Sequence, residues 1–223
     1  IIRPIHTFGR NAMADYITYW NGEWVPFSQV KIDPLDRAFM SGDVVFDVAR
    51  TFNGKSFRLK QHVDRLYRSL KFVRIDPGLT SDEMLDISEE VVRRNESSRP
   101  EVGDFTITQF VTRGLGRRTR DAGSPNVCVK VAAVDFKSYV SLYESGAHGV
   151  ITRTRSYSPD SLDPKIKHFS RMNFSLAELE ADDVDPGAWA ILTDNDGNIT
   201  EGTRQNVSIV TDGVLRTSQD RAL

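Results

Sequence analysis

Three turn-forming pairs constrain the fold of this chain more than any other feature of its sequence. Asn21-Gly22 and Asn53-Gly54 each separate two runs of strand-forming residues, and Asp212-Gly213 does the same near the end of the chain. Both residues of a two-residue hairpin turn adopt positive φ, which Asn, Asp and Gly tolerate better than other residues. The sequence therefore predicts three β-hairpins.

Helices are predicted between and behind these hairpins. Apolar residues recur at helical spacing over 60–74, which predicts a helix with one buried face. Thr80 and Glu83 then form a capping box, in which each side chain accepts a hydrogen bond from a backbone N–H at the start of a second helix. A third helix is predicted over 169–181, with three apolar side chains facing inward: Met172, Leu176 and Leu179.

The order of these elements predicts the fold class. Two strand-like runs, 105–112 and 127–134, follow the second helix, and further strands follow the third. Strands, two helices, strands, and then a helix with more strands are typical of an α+β fold in two parts. We therefore predict two domains, an N-terminal domain over 1–140 and the start of a larger domain over 141–223.

Charge and cysteine content exclude several classes of function. The 223 residues contain 29 Lys and Arg against 31 Asp and Glu, a net charge of −2. Binders of nucleic acid or membrane need a net basic face, so we predict neither partner.

The single cysteine permits no intrachain disulfide, which predicts a reducing, cytoplasmic location. The chain starts without Met and without a signal-peptide pattern, so we expect a fragment or a processed form.

Metal and thiol chemistry are not expected. His62 and His168 have no further ligands at the spacing that metal sites use. Cys128 lies within a predicted strand, where a thiol is buried and unreactive. The sequence therefore predicts no metal site and no cysteine nucleophile.

Two residues of the second half could carry chemistry. Lys167 stands beside apolar residues at the start of the third predicted helix, where desolvation can turn a lysine into a nucleophilic amine. Glu201 precedes a glycine at the end of a strand and is well placed to meet a ligand atom. A solvated surface charge is the simpler interpretation of each residue taken alone.

Arginines form two further candidate groups. Arg65 lies beside the apolar stripe of the 60–74 helix, where its fork can bind a phosphate. An ion pair with Asp64 or a neighbouring carboxylate is the alternative. A basic loop follows the 105–112 strand and either binds an anionic substrate or is simply solvated; its candidates are Arg117, Arg118 and Arg120.

Taken together, motifs along the chain resemble the fold-type IV aminotransferases, which depend on pyridoxal 5'-phosphate (PLP). They are 42–47 with 57–59, 62–66, Lys167 with 180–181, and 200–203 with 206–207. The resemblance runs from about residue 21 to the end. It implies a two-domain α+β fold of the D-amino-acid and branched-chain aminotransferase type. It also implies that the C-terminal part of that fold is incomplete here.

The resemblance assigns roles to four residues. Lys167 would hold PLP as a Schiff base and act as general acid and base at the substrate Cα. Glu201 would face the pyridine nitrogen and keep it protonated. Arg65 would bind the PLP phosphate through its fork. Leu223 would pack on the PLP ring.

Within the family, the front of the chain and 163–167 look most like the (R)-selective amine aminotransferases. This implies an amine donor and a keto-acid acceptor, with D-amino and branched-chain amino acids as alternative donors. Phe46 would form the wall of the substrate pocket, with Thr106 and Thr108 facing the substrate. One of the three loop arginines would bind the keto-acid carboxylate. Arg171 departs from the family, because relatives often carry an aromatic residue there.

The resemblance also implies a homodimer, in which a loop of each partner completes the other's site. Two alternatives to a transaminase stay open. One is a PLP lyase of the aminodeoxychorismate type, which would use Lys167 and Glu201 to eliminate pyruvate. The other is a non-catalytic protein that binds PLP.

Overall fold

A computed structural model describes residues 15–121 and 123–218 of the chain. The chain divides into two compact units, the first ending at Val134 and the second beginning at Asp135. This division falls a few residues before the boundary predicted after residue 140. None of the helices in the described ranges has both the length and the apolar character that a membrane span requires.

The first unit is built on a six-stranded antiparallel sheet. Its strands are β1 (Ile17–Trp20), β2 (Glu23–Pro26), β3 (Val44–Phe52), β4 (Lys55–Phe57), β5 (Phe105–Thr112) and β6 (Val127–Ala133). Their order in the sheet is β2-β1-β6-β5-β3-β4. The predicted turns join β1 to β2 and β3 to β4.

The turns confirm the hairpin predictions. Asn21 and Gly22 have φ of 51° and 96°, and Asn53 and Gly54 have φ of 50° and 76°. The third turn has the same geometry, with φ of 52° at Asp212 and 73° at Gly213. Each pair supplies the two positive φ angles that a tight hairpin turn demands.

The first unit contains the two predicted helices and two shorter ones that were not predicted. The helices are α1 (Arg37–Ser41), α2 (Leu59–Val73), α3 (Ser81–Asn95) and α4 (Arg99–Val102), and short 3-10 turns cover Phe27–Gln29, Glu96–Ser98 and Thr119–Asp121. The capping box is confirmed, because the N–H of Glu83 donates to the Thr80 hydroxyl at 3.2 Å and the N–H of Thr80 donates to the Glu83 carboxylate at 2.7 Å. Val63, Leu66 and Leu70 of α2 are buried as expected.

The register of the central strands separates two faces of the sheet. Asp47 of β3 pairs with Gln109 of β5, and the Gln109 amide donates to the Ser88 hydroxyl of α3 at 3.0 Å. That face is therefore the one covered by helices. Side chains alternate along a strand, so the residues one step away, Phe46 and Thr108 among them, lie on the opposite face.

The second unit contains a three-stranded sheet and a separate two-stranded hairpin. Its elements are α5 (Lys137–Val140), α6 (Leu142–Ser145), β7 (Gly149–Arg155), α7 (Met172–Val184), β8 (Trp189–Thr193), β9 (Ile199–Gly202), β10 (Ser208–Thr211) and β11 (Val214–Thr217). The sheet has the order β7-β8-β9. Strands β7 and β8 are parallel, so helix α7 forms the crossover between them.

The predicted inward face of the third helix is wrong. Met172, Leu176 and Leu179 are 71%, 49% and 63% exposed in this unit. The face that packs on the sheet instead carries Ala177 and Ala181, which are fully buried together with Ala190 and Leu192. Small residues let the helix backbone approach the sheet closely, and a pattern of large apolar residues does not reveal such a face.

Candidate functional site

Lys167 lies in the segment between β7 and α7. The segment is folded by local turns, since the Asp163 carboxylate accepts from the N–H of Lys165 at 2.9 Å and the Asp163 carbonyl accepts from the N–H of Ile166 at 3.0 Å. Ile166 is buried and Lys167 is partly buried. The helix begins at Met172, later than predicted, so Lys167 precedes α7 and is not part of it.

Glu201 is partly buried near the end of β9. The strand is held in place because the hydroxyl of Thr200 donates to the carbonyl of Leu192 at 3.1 Å. Burial raises the pKa of the Glu201 carboxyl above its ordinary value, and the charges of Arg171 and Lys167 oppose that rise. The electrostatic influence of Lys167 on Glu201 shows that these two predicted residues belong to one neighbourhood.

His168 is a residue of this neighbourhood to which the sequence assigned no role. Burial lowers the pKa of His168 to about 4, and the charges of Arg171 and Lys167 add to the effect. The ring is therefore neutral at physiological pH. Its Nδ1 atom is buried and makes no hydrogen bond within the described residues. A buried ring nitrogen that no described residue bonds is unusual, because most buried polar atoms are paired.

Arg171 completes this group. Its Nε donates to the carbonyl of His168 at 3.0 Å, and its guanidinium lies 4.6 Å from the centre of the Phe174 ring. Burial lowers the pKa of Arg171, and Glu201 opposes that shift. These side chains line a small cavity in the second unit, whose walls are Ser156, Tyr157, Leu162, Pro164, Ile166, His168, Ser170, Arg171, Phe174 and Glu201.

In the first unit, Arg65 forms a two-point contact with Asp47. Its Nε donates to Oδ2 at 2.6 Å and its Nη2 donates to Oδ1 at 2.8 Å. The Nδ1 atom of His62 lies 2.8 Å from the same Oδ1. The alternative partner from sequence, Asp64, instead binds Lys60 at 3.0 Å. Arg65 is therefore paired, but with a carboxylate on the sheet.

Asp47 stays ionised in spite of its position. Burial pulls the pKa of its carboxyl upward, but the hydrogen bonds and charges of Arg65 and His62 outweigh burial and hold the pKa below its ordinary value. The sequence analysis did not single out Asp47 as the partner of Arg65. A signal was present, since an aspartate at a buried strand position needs a cationic partner, and His62 and Arg65 share one face of α2 at a spacing of three.

The predicted substrate residues lie on the sheet face that is not covered by α2 and α3. The register places Phe46 opposite Phe110, and Thr108 opposite Val48, so Phe46, Thr106 and Thr108 share that face. The hydroxyl of Thr106 donates to the carbonyl of Ala132 on β6 at 3.2 Å.

The loop arginines are exposed, and buried contacts anchor the base of their loop. Arg117, Arg118 and Arg120 are all exposed. Asp36 is fully buried and accepts hydrogen bonds from the Thr112 hydroxyl at 2.8 Å and the Asn126 amide at 2.6 Å. Thr112 ends the strand before the loop, and Asn126 directly precedes the strand that follows it. Leu223, predicted to contact the cofactor, lies outside the described residues.

Cys128 lies at the centre of the first unit's sheet and is fully buried. Burial raises the pKa of its thiol to about 12, in spite of the nearby charge of Lys130. Among the described residues, no group of three or more His, Cys, Asp or Glu side chains is arranged to hold a metal ion.

Known proteins share both the sequence and the fold. The family model for amino-transferase class IV matches residues 44–222. A Methanocaldococcus jannaschii protein assigned as a branched-chain-amino-acid aminotransferase is 35% identical over 205 residues, which cover 89% of this chain and 67% of that protein. The D-alanine aminotransferase of Staphylococcus aureus is 29% identical over 202 residues, with the same two coverages.

Solved structures agree. A branched-chain amino acid aminotransferase complexed with N-(5'-phosphopyridoxyl)-L-glutamate superimposes with a TM-score of 0.81 at 27% identity, covering 94% of this chain and 69% of that one. The Thermoproteus uzoniensis branched-chain aminotransferase with norvaline, at 23% identity and a TM-score of 0.79, supports the fold alone.

The mixed α+β architecture of fold type IV, expected from the sequence, is thereby confirmed. The chain spans about two thirds of the length of the M. jannaschii and S. aureus relatives. The match of the family model over most of the sequence, together with these relatives, decides the assignment. The chain belongs to the class IV aminotransferases, an enzyme family whose cofactor is pyridoxal 5'-phosphate.

Proposed function

We propose that this protein transfers an amino group from an amino-acid donor to a keto acid, with Lys167 as the residue that binds PLP and carries the proton. The observation that carries the proposal is the arrangement of the second unit. A partly buried lysine acts electrostatically on a partly buried carboxylate, Glu201, which lines a cavity. The family membership supplies the reaction class.

The residues present fit the cofactor. No described residue donates a hydrogen bond to the Glu201 carboxylate, so it can accept one from a ring nitrogen. His168 lines the same cavity as Glu201, and its ring is neutral at physiological pH because burial lowers its pKa to about 4. PLP supplies an aldehyde that condenses with amines and a ring that withdraws electrons from the substrate Cα.

The proposed residues have different tasks. Lys167 binds the cofactor through its Nζ atom and then moves a proton at the substrate Cα. Glu201 holds a proton on the ring nitrogen, which strengthens the ring as an electron acceptor. Arg65 binds the phosphate through its remaining N–H groups.

We propose branched-chain amino acids as the preferred donors, because the relative with 35% identity is assigned to them. Phe46, Thr106 and Thr108 then form the substrate-facing wall. The acceptor's carboxylate is bound by an arginine of the exposed loop, which contains Arg117, Arg118 and Arg120. D-Amino acids and (R)-amines are the competing donor classes. We also propose a homodimer, which the resemblance to the family implies. The cytoplasmic location stays a prediction.

The visible absorption spectrum of the protein with PLP tests the assignment. We expect a band from bound cofactor that Lys167→Ala removes and that the matched change Lys165→Ala, at an exposed neighbour, leaves in place. L-Leucine, D-alanine and (R)-1-phenylethylamine are then added separately. Loss of the band with L-leucine, followed by its return on adding a keto acid, supports the proposal.

Other outcomes separate the competing functions. Loss of the band with only D-alanine or only the (R)-amine would replace the donor class and leave the transaminase role intact. Release of pyruvate without any keto acid would instead indicate a lyase. A band that persists in Lys167→Ala would overturn the role of that residue.

A further inference from the structure

Asp47 is a charged residue in an apolar setting. It lies on the helix-covered face of β3, and its neighbours on that face, Val45 and Ala49, are buried hydrophobic residues. The Asp47 side chain is 0% exposed. An isolated carboxylate at such a position is strongly unfavourable, and it is tolerated only when its oxygens are paired and hydrogen-bonded.

Those oxygens are shared between two residues of α2. Arg65 contacts both oxygens, through Nε at 2.6 Å and Nη2 at 2.8 Å. His62 Nδ1 lies 2.8 Å from Oδ1, so the ionised carboxylate accepts the Nδ1 proton. His62 and Arg65 are three residues apart, which places them on the same side of the helix.

The two-point contact fixes the plane of the guanidinium. A bidentate arginine contact sets orientation as well as attraction, which a single-point contact does not. Because Nε and Nη2 are used toward the sheet, Nη1 stands on the other side of the group. Nη1 makes no hydrogen bond within the described residues, and the Arg65 side chain is 41% exposed.

We propose that Asp47 is a positioning residue that holds Arg65 with one edge of its guanidinium presented to the cofactor phosphate. This rests on the proposed role of Arg65 in binding that phosphate. Asp47 itself contacts no ligand. It acts by keeping a long, flexible side chain in one orientation before the phosphate arrives, which removes part of the ordering cost of binding.

The experiment compares ligands with and without the phosphate. Binding of PLP and of pyridoxal, which lacks the phosphate, is titrated for the wild type, Asp47→Asn, Arg65→Ala and the double variant. The ratio of the two affinities isolates the phosphate contribution. We expect Asp47→Asn to lower this ratio about tenfold, the lower end of the loss found when residues that orient metal-binding side chains are changed.

The matched control is Asp64→Asn. Asp64 lies beside Arg65 on the same helix but binds Lys60 at the surface. We expect its affinity ratio to equal that of the wild type. If Asp47 acts through Arg65, the double variant should lose no more than Arg65→Ala alone, whereas additive losses would overturn the inference.

The same titrations distinguish the proposed role of Arg65 from that of Asp47. A wild-type ratio in Arg65→Ala would remove the proposed role of Arg65 itself. A lowered ratio in Arg65→Ala together with a wild-type ratio in Asp47→Asn would overturn only the role of Asp47. Thermal unfolding shows whether each variant is folded. If Asp47→Asn is not, Asp47→Glu keeps the charge and shifts it by one methylene; we expect a lowered ratio, and an unchanged one contradicts the proposal.

Discussion

The carboxylate of Glu180 on α7 binds Thr154 on β7 through both the side chain and the backbone. It accepts from the Thr154 hydroxyl at 2.6 Å and from the Thr154 N–H at 3.2 Å, and the N–H of Arg153 donates to it at 2.7 Å. The register of β7 with β8 is irregular between Ile151 and Arg155. The helix thus supplies acceptors to an irregular part of the neighbouring strand.

Glu180→Ala should destabilise the protein by about 1–2 kcal/mol, because these backbone donors would lose their partner. Urea unfolding of the two proteins measures the difference. Glu178→Ala is the control, since Glu178 forms a 3.4 Å ion pair with Arg204, whose side chain is exposed. Its effect should stay within about 0.5 kcal/mol. Equal effects of the two changes would contradict the role given to Glu180.

Acidification should destabilise the protein through His168. Its pKa is about 4 in the folded state, against about 6.5 in an unfolded chain. Between these values the unfolded state binds the extra proton, so stability is present above about pH 6.5 and is lost as the pH falls toward 4.

Urea unfolding at about pH 7 and pH 5 tests this loss. Between these two pH values, we expect the free energy of unfolding of His168→Gln to fall by about 1 kcal/mol less than that of the wild type. Burial raises the pKa of Glu201, so its contribution has the opposite sign: the protein loses the stability due to Glu201 as the pH rises. It is present in both proteins, so the comparison isolates His168. His148→Gln, at an exposed histidine, should follow the wild type.

Substitutions on α7 should reveal which face is packed. Ala177→Leu inserts volume into a closed contact and should destabilise by about 1–3 kcal/mol. Leu179→Ala, at a side chain that is 63% exposed, should change stability by less than about 0.5 kcal/mol. Thermal unfolding of the two variants shows which of them loses more stability. A larger loss for Leu179→Ala would restore the face that the sequence predicts.

Asp36 should be essential to the base of the arginine loop. Besides binding Thr112 and Asn126, it accepts from the N–H of Ala38 at 2.7 Å and so caps α1. Asp36→Ala leaves buried donors without a partner and should destabilise by about 1–3 kcal/mol in urea unfolding. Asp64→Ala, which removes an exposed carboxylate, serves as the control. Comparable losses would show that Asp36 is no more important than a surface acid.

Local features of the fold were predictable from sequence, since their causes are local. The Asn-Gly turns depend on the φ preference of two residues, and the Thr80 capping box on four consecutive residues. The inner face of α7 depends on β8, which lies elsewhere in the chain, and small alanines leave no apolar signal. Strand β7 lay outside the predicted strands because its alternation of threonine and arginine buries little apolar surface.

Much the same distinction holds for the candidate site. Lys167, Glu201 and Arg65 are predicted site residues because they stand in motifs whose order along the chain is informative. The residues around them were not predicted from the sequence. Asp47, for example, meets Arg65 and His62 only when strand β3 packs against helix α2. The burial of His168 Nδ1, to which no residue in the described ranges bonds, is likewise a property of the folded chain.

The buried position of Cys128 gives the protein an internal reporter. It is the only thiol in the sequence, and its high pKa and full burial in β6 protect it from alkylating reagents. The rate at which a small thiol reagent labels the native protein therefore measures how often the sheet of the first unit opens. No engineered probe is needed to follow that motion.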